Sequence, residues 1–346
     1  MTTNLQMRVN GTWLSSVAPW GDLTYSTLAD GGCGQASWNM QLPRGSRHRS
    51  LRRGGIVEVR AGTQNLFKGV LAEPDDNDEG WAFHADGLYT EGTGYMAFDA
   101  ALNTTSTPDT AIDQAIARGL RWNRPTSIGS TPFVNGDATE GLQSVPQLLD
   151  DYAQSVSKRS GVDAAGNVFM RSDPTLPTWH MTPGSGVFGL ADDEYASDVY
   201  LRYFTTTLAL ATAHAGDAAA AARFGRKEYA IDGRDLGPLT GPVADGYAAG
   251  FVAKGASRLG WTNSLTPSRW QLTTAGGTPA FLPAVKGGQM VRLHGVLDDQ
   301  GRPLPYVDFV IGEATYSAAD DTVTIAPVGL AARSLTDVLA VIGTDE

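Results

Sequence analysis

The first hundred residues carry the tightest constraint on the fold. Five short segments, LQMRVNGTWL (5–14), GQASWNMQL (34–42), GIVEVRAG (55–62), NLFKGVLAE (65–73) and GWAFHADGLY (80–89), alternate or cluster β-forming residues, with turn-forming residues between them. The gaps leave no room for a helix-length crossover. A parallel sheet is therefore excluded, and a small barrel or sandwich is expected. Within GWAFHA, Trp81 and Phe83 fall on one face of a strand and Ala82 and His84 on the other.

A different texture starts near Thr105. STPDTAIDQAIARGLRW offers Ser106 or Thr107 as helix cap, Pro108 at the first helical position, Asp109 in the first turn, and Ala111, Ile112, Ala115 and Ile116 at helical spacing. SVPQLLDDYAQSVSKRSG repeats the recipe with Ser144, Pro146, Leu148, Leu149, Tyr152, Ala153 and Val156, and ends at Gly161. A hairpin turning at Ala165-Gly166-Asn167 then closes an α+β insert by about residue 195. Strands return from Val199: VYLRYFTTTLALAT, KEYAIDG, RWQLTTAG, QMVRLHGVLDD, YVDFVIGEATYS and TVTIAPVG. Two helical pieces interrupt them, DAAAAARFG and VADGYAAGFVAKGAS, the second with Tyr247, Phe251, Val252 and Leu259 able to share a face. The turns DDQGRPLP and SAADDT place Asp298, Asp299, Asp320 and Asp321 at solvated tips. The expected fold class is mainly β with an α+β insert, divided as 1–100, 101–195 and 196–346.

Composition narrows the function classes. A chain of 346 residues with 41 Gly, 18 Pro and 8 Trp is a turn-rich packed protein of more than one domain. The N-terminus MTTNLQMRVNGTW lacks the basic start and apolar core of a secretory signal, and no apolar run reaches about 18 residues. A soluble protein made in a cytoplasm, without a membrane anchor, is expected. The lone Cys33 excludes an internal disulfide and a multi-cysteine metal site. A net charge of -11 argues against wrapping nucleic acid, yet a negative wall suits a conduit through which DNA slides without sticking.

Motifs that imply chemistry fail on context. GSGVFG, 184–189, spells a dinucleotide fingerprint but follows Pro183 and opens no helix. DDNDEGWAFHAD places Asp75, Asn77, Glu79, Gly80 and Asp86 near calcium-loop spacing, but its second half reads as a strand, so a hairpin tip is expected. GGCGQASWNM puts Ser37 where a thiol protease needs its nucleophile, and Cys33 reads as a turn or core residue. His48, His84, His180, His214 and His294 are scattered singly. Asp150 and Asp151, and Asp192, Asp193 and Glu194, are adjacent in sequence, which does not place two carboxylates across a cleft. No catalytic residue, metal or cofactor is expected, and the chain does not read as an enzyme.

One stretch breaks the acidic character. PRGSRHRSLRRGG, 43–55, gathers Arg44, Arg47, Arg49, Arg52 and Arg53 in a connection between two strands. Nucleic-acid binding would call for interleaved aromatics or a continuing basic platform, and only Arg60 extends the patch. Guanidiniums on a loop of an acidic protein suit carboxylates of a neighbouring chain, so Arg47, Arg49, Arg52 and Arg53 are expected at a subunit contact, ahead of a solvated loop.

Two groups of phrases carry a resemblance. WGDLTYSTLADGGCGQASWNMQLP, the basic turn, GGIVEVRAG, NLFKGVLAEP and GWAFHADGLY resemble the first barrel of the tail-tip (baseplate) hub proteins, or minor tail proteins, of phages with long non-contractile tails. VYLRYFTTT, FGRKEYAIDGRDLGPLT, GGTPAFLPAVKGGQMVRLHGV, DFVIGEATYSAADDTVTIAPVG and LAARSLTDVLA are similar to the second barrel and tail of such hubs, notably those of phages infecting actinobacteria. The resemblance implies two small β-barrel domains flanking the α+β region and a homotrimer forming a six-part ring that adapts a sixfold tail tube to threefold tip components. It implies a structural virion protein at the tail tip. Its partners would be itself, the distal tail protein, the tape measure protein and fibre or tip proteins, with phage DNA passing through the lumen unbound. Many hubs extend into lytic or receptor-binding regions; with Glu346 as its last residue, this chain is expected to lack them. The rival readings are a carbohydrate-binding β-sandwich, with Trp13, Trp20, Trp38 and Trp81 as sugar platforms, and a polysaccharide hydrolase.

Overall fold

The computed structural model describes residues 5–43, 48–77, 80–132, 142–156, 158–182, 196–234, 238–256, 265–295 and 306–328. The fold is mainly β. The chain begins with β1 (Leu5–Val9), β2 (Thr12–Trp13), β3 (Trp20–Leu28), β4 (Gly31–Met40), β5 (Ile56–Ala61), β6 (Gln64–Leu71), β7 (Asp75–Asn77) and β8 (Gly80–Gly87). Next come α1 (Pro108–Ala117), α2 (Val145–Ser155), β9 (Arg159–Val162), β10 (Val168–Arg171) and β11 (Trp179–Met181). They are followed by β12 (Asp198–Thr205), β13 (Leu210–Gly216), α3 (Ala218–Phe224), β14 (Glu228–Asp232), β15 (Pro238–Leu239) and α4 (Gly241–Ala256). The described chain closes with β16 (Leu272–Thr273), β17 (Met290–Leu293), β18 (Val307–Ser317) and β19 (Thr322–Pro327).

Two compact units result, and their composition differs from the division 1–100, 101–195 and 196–346. The first unit joins residues 1–186 to 264–328; the second holds 187–263 and 329–346. The physical reason is one strand pair. β18 runs antiparallel to β3, with Ser317 opposite Thr24 and Glu313 opposite Leu28, so the C-terminal strands complete the sheet that the N-terminal strands begin. Gly287 packs on the same strand: its N–H donates to the Thr27 hydroxyl at 3.0 Å, and a Cβ there would stand 2.2 Å from the Leu28 carbonyl carbon.

In the first unit the main strand order is β16-β11-β17-β18-β3-β4-β8-β6-β5-β1-β2, with β7, β9, β10 and β19 attached at its sides. The sheet curls over its aromatic face. Tyr25 of β3 reaches Phe67 of β6, with ring centroids 6.3 Å apart, although β4 and β8 lie between those strands in the sheet. Tyr316 packs on Tyr25 at 5.5 Å, and Trp38 stacks on Phe83 at 5.3 Å. The order is open-ended, since among the described residues no pairing joins β16 to β2. Trp81 and Phe83 turn inward while His84 is exposed, as the alternation requires. β3 is absent from the five segments read as strands because a register shift between Gly21 and Thr24, beside Asp22 at φ 53°, breaks its alternation.

Beside the sheet lie α1 and α2. Ala111, Ile112 and Ala115 pack with Leu148, Leu149, Trp122 and Val162 in one core. Ser144 caps α2 through a reciprocal capping box with Gln147, whereas Thr107 at the start of α1 makes no side-chain cap. There the Asp109 N–H donates to the Gly129 carbonyl at 3.1 Å, and the Asp109 carboxylate ties the same loop down, accepting from the Ile128 N–H at 2.8 Å and the Ser127 hydroxyl at 2.5 Å. The expected hairpin is present: β9 pairs with β10 around Gly166, at φ 89°.

The second unit is a small sheet, β13-β12-β14 with β15 also on β12. VYLRYFTTTLALAT, read as one run, is two antiparallel strands turning at Leu208, φ 59°. One core unites Val199, Leu201, Ala213 and Ile231 of the strands with Ala244, Ala248, Phe251 and Val252 of α4. Tyr247 packs at its margin, and Leu259 lies outside the described residues.

Candidate functional site

The arginine connection is held rigidly at its root. Leu51 is fully buried, and its N–H donates to the His48 carbonyl at 2.9 Å. Asn10 clamps it from β1's end, donating through Nδ2 to the Ser50 carbonyl at 3.1 Å and accepting from the Ile56 N–H at 2.9 Å. His48 Nδ1 lies 2.6 Å from the Ser50 hydroxyl, so this histidine serves local structure. Gly54, at φ 82°, makes the last turn; its N–H donates to the Leu71 carbonyl at 2.8 Å and its own carbonyl accepts from Arg121 at 2.7 Å.

With Leu51 turned in, Arg49, Arg52 and Arg53 turn out and are exposed. Arg44 and Arg47 lie outside the described residues. No ion pair forms on Arg49, Arg52 or Arg53 among the described residues. By contrast, Arg8, Arg121, Arg124, Arg159, Arg226, Arg234 and Arg292 each pair with at least one carboxylate. Among the described residues, many guanidiniums are thus satisfied internally while these three are exposed and without an ion pair.

The other candidates resolve into structure. Cys33 is buried and accepts from the Lys68 N–H at 3.4 Å; burial pushes its thiol up to about 12, so it is no nucleophile at neutral pH. Asp150 accepts from the hydroxyls of Tyr89 and Ser160, each at 2.6 Å, and burial raises its pKa. Tyr89 stacks on Trp122 at 5.3 Å, and its hydroxyl pKa is raised by burial and by Asp150. Asp151 accepts from Gln143 at 3.0 Å. Asp75, Asp76 and Asn77 pair with Ala82, Trp81 and Gly80 as strand residues, so this segment is not the loop between two helices that a calcium site requires. Among the described residues no group of three or more His, Cys, Asp or Glu is placed to hold a metal. GSGVFG, Asp192, Asp193, Glu194, Asp298 and Asp299 lie outside the described residues. Asp320 and Asp321 sit at the β18–β19 turn, with Asp321 accepting from the Tyr316 hydroxyl at 2.8 Å. Of the four tryptophans weighed as sugar platforms, Trp38 and Trp81 are buried, Trp20 is half-buried, and Trp13 is exposed beneath Arg8.

Two histidine contacts went unread in the sequence. His214 stacks on Tyr200 at 4.5 Å and approaches Asp198 at 3.2 Å. His180 and His294, 114 positions apart, meet at 2.9 Å between Nδ1 and Nε2. No local signal marks either contact, because each depends on which strands pair.

The fold has counterparts among solved structures. It is similar to the 43 kDa tail protein of the prophage MuSo2 from Shewanella oneidensis, with a TM-score of 0.60 and 14% identity over 95% of this chain and 99% of that one. The likeness is one of fold at this identity. A tail protein from Neisseria meningitidis is similar with a TM-score of 0.51 and 15% identity, over 93% of this chain and 95% of that one. No family profile matches the sequence, and no curated protein does.

Proposed function

We propose that this chain is a structural, non-enzymatic protein of a phage tail, acting as a homotrimeric tail-tip hub around the path of the DNA. The observation that carries the reading is the fold likeness to a prophage tail protein over nearly the full length of both chains. The hub-like phrases in the sequence, including those similar to hubs of phages infecting actinobacteria, point the same way. In this reading the curled sheet supplies two lobes per chain, one built from β1 to β8 and one around β16 to β19, in place of barrels at 1–100 and 196–346. Three copies with two lobes each close a six-part ring, which adapts a sixfold tube to threefold tip components. The distal tail protein, the tape measure protein and fibre or tip proteins are the neighbours, and the net charge of -11 favours DNA passing without capture.

Arg47, Arg49, Arg52 and Arg53 are proposed to meet carboxylates of the adjacent copy. Imaging the chain bound to its tail-tube neighbour tests the hub: a threefold ring with an opening as wide as a duplex is expected, and a particle without rotational symmetry overturns it. Replacing the four arginines by serine is expected to lower the mass seen by light scattering from trimer towards monomer. An unchanged mass removes the arginine contact while leaving the ring intact.

A further inference from the structure

We infer that Asn10 is a site of spontaneous conversion to aspartate or isoaspartate, and that conversion permanently loosens the arginine connection that this side chain clamps. Asn10 and Gly11 form the exposed turn between β1 and β2, with Val9 opposite Thr12 and φ of 49° and 79°. A glycine after an asparagine leaves its nitrogen unshielded by a side chain, and even a Cβ built on Gly11 would meet nothing within 4 Å. Among the described residues the Gly11 N–H makes no hydrogen bond, and no other asparagine precedes a glycine.

The chemistry needs only water. After losing its proton to hydroxide, the Gly11 nitrogen attacks Cγ of Asn10; the new C–N bond closes a succinimide ring, the bond from Cγ to Nδ2 breaks, and Nδ2 leaves as ammonia with a proton from water. Water then opens the ring. Addition at Cγ frees a side-chain carboxylate and gives aspartate. Addition at the backbone carbonyl carbon leaves the chain running through Cβ and Cγ, which gives isoaspartate with its longer backbone. Ring closure requires the carboxamide to swing onto Gly11, and the clamp opposes this: Nδ2 donates to the Ser50 carbonyl at 3.1 Å while Oδ1 accepts from the Ile56 N–H at 2.9 Å. Conversion therefore proceeds from molecules in which the clamp has opened locally.

At neutral pH the product cannot remake the clamp. A carboxylate oxygen in place of Nδ2 faces the Ser50 carbonyl, acceptor against acceptor. The fit there is close, since a Cβ on Gly55 would stand 2.7 Å from Nδ2. In aspartate the Ile56 N–H retains an acceptor. In isoaspartate the added backbone carbon also displaces the turn, which the Asn10 N–H anchors on the Ile56 carbonyl at 2.8 Å. What is released is the stretch from Ser50 to Gly55, with Arg52 and Arg53. The inference rests on the clamp alone and holds whether or not these arginines meet another copy.

Incubating the full chain in mildly alkaline buffer, native and in denaturant, and mapping its peptides by mass tests this; the mapping separates Asn10 from Asn135-Gly136, the other such pair in the sequence. Asn10 is expected to convert in both states, roughly thirtyfold more slowly in the native chain, the factor set by opening two hydrogen bonds. Equal rates, or a native Asn10 still intact after about a hundred denatured half-times, overturn the gated site. Asn10→Asp is expected to lower amide protection at Leu51 and Gly55, whose N–H groups bond to the His48 and Arg52 carbonyls, by about fivefold for one lost hydrogen bond, while β4 and β8 hold steady. Unchanged protection overturns the loosening. The aged native chain decides the same point without a variant, because converted and unconverted molecules exchange side by side: equal protection at Leu51 and Gly55 in the two overturns it as well.

Discussion

The two units bury different kinds of core, and the difference separates long-range from local folding. In the first unit the largest fully buried side chains are Trp38, Tyr25, Tyr316, Phe67 and Phe83, drawn from strands far apart in the chain. Tyr25, for example, donates its hydroxyl to the Pro283 carbonyl at 2.6 Å, across 258 positions. The second unit leans on Ala213, Ala244 and Ala248, with Phe251 and Tyr203 as its largest members, and all its described pairings fall within 196–256. A core of distant aromatics must close long loops before any contact rewards them; a core of near neighbours need not. The first unit should therefore fail as a whole when any contributing stretch is missing, and the second should degrade locally.

Truncation gives the largest contrast. Residues 1–100 alone keep β3 but lose its partner β18, leaving an open sheet edge and an uncovered Tyr25. They are expected to aggregate or stay unfolded by circular dichroism, whereas 196–256 alone is expected to retain a mixed helix and strand signal. A soluble, cooperatively unfolding 1–100 fragment would restore the division read from the sequence.

Core truncation comes next. Trp38→Ala removes a ring fully buried against Phe83, and an equilibrium denaturation loss of about 5 kcal/mol is expected. Phe251→Ala, among small alanines that can collapse towards the gap, is expected to cost about 3 kcal/mol. Equal costs would show that both cores are packed with the same rigidity.

The smallest effect concerns pH, and one aspartate in each unit, Asp150 and Asp198, should respond with opposite sign. In the first unit burial raises the Asp150 pKa, so the folded state holds that proton more tightly than the unfolded chain does. Its contribution falls as pH rises from 3.8 through the raised value. In the second unit Asp198 is lowered, chiefly by the Ser197 hydroxyl and then by His214 and Arg226. Its contribution is present above 3.8 and is lost as pH falls through the depressed value. Amide exchange at Leu149 and Leu201 reads the two units separately. Asp150→Asn should remove the first slope, and Asp198→Asn should remove the second.

Much of the helical and strand content was legible in the sequence for local reasons. Pro108 and Ser144-Pro146 announce helix starts because the first turn lacks backbone acceptors for its N–H groups. Trp81, Phe83 and His84 declare their faces because successive side chains on a strand point to opposite sides. The arginine connection was legible as a loop; the burial of Leu51, which turns Arg49, Arg52 and Arg53 outward, was not. In the second unit β12 and β13 were read as one run, since Leu208 at positive φ leaves no composition signal of the kind glycine gives.

By itself, the sequence determined which stretches become strands or helices, the mainly β character and the acidic surface charge, because these follow from neighbouring residues and from composition. Only the tertiary structure decided that β18 completes the sheet of β3, that the first unit is built from both ends of the chain, and that His180 meets His294. Backbone hydrogen bonding is the same for every strand, so the choice of partner rests on how well an entire set of side chains fills one core. That choice is made by packing across hundreds of positions, beyond the reach of any local pattern.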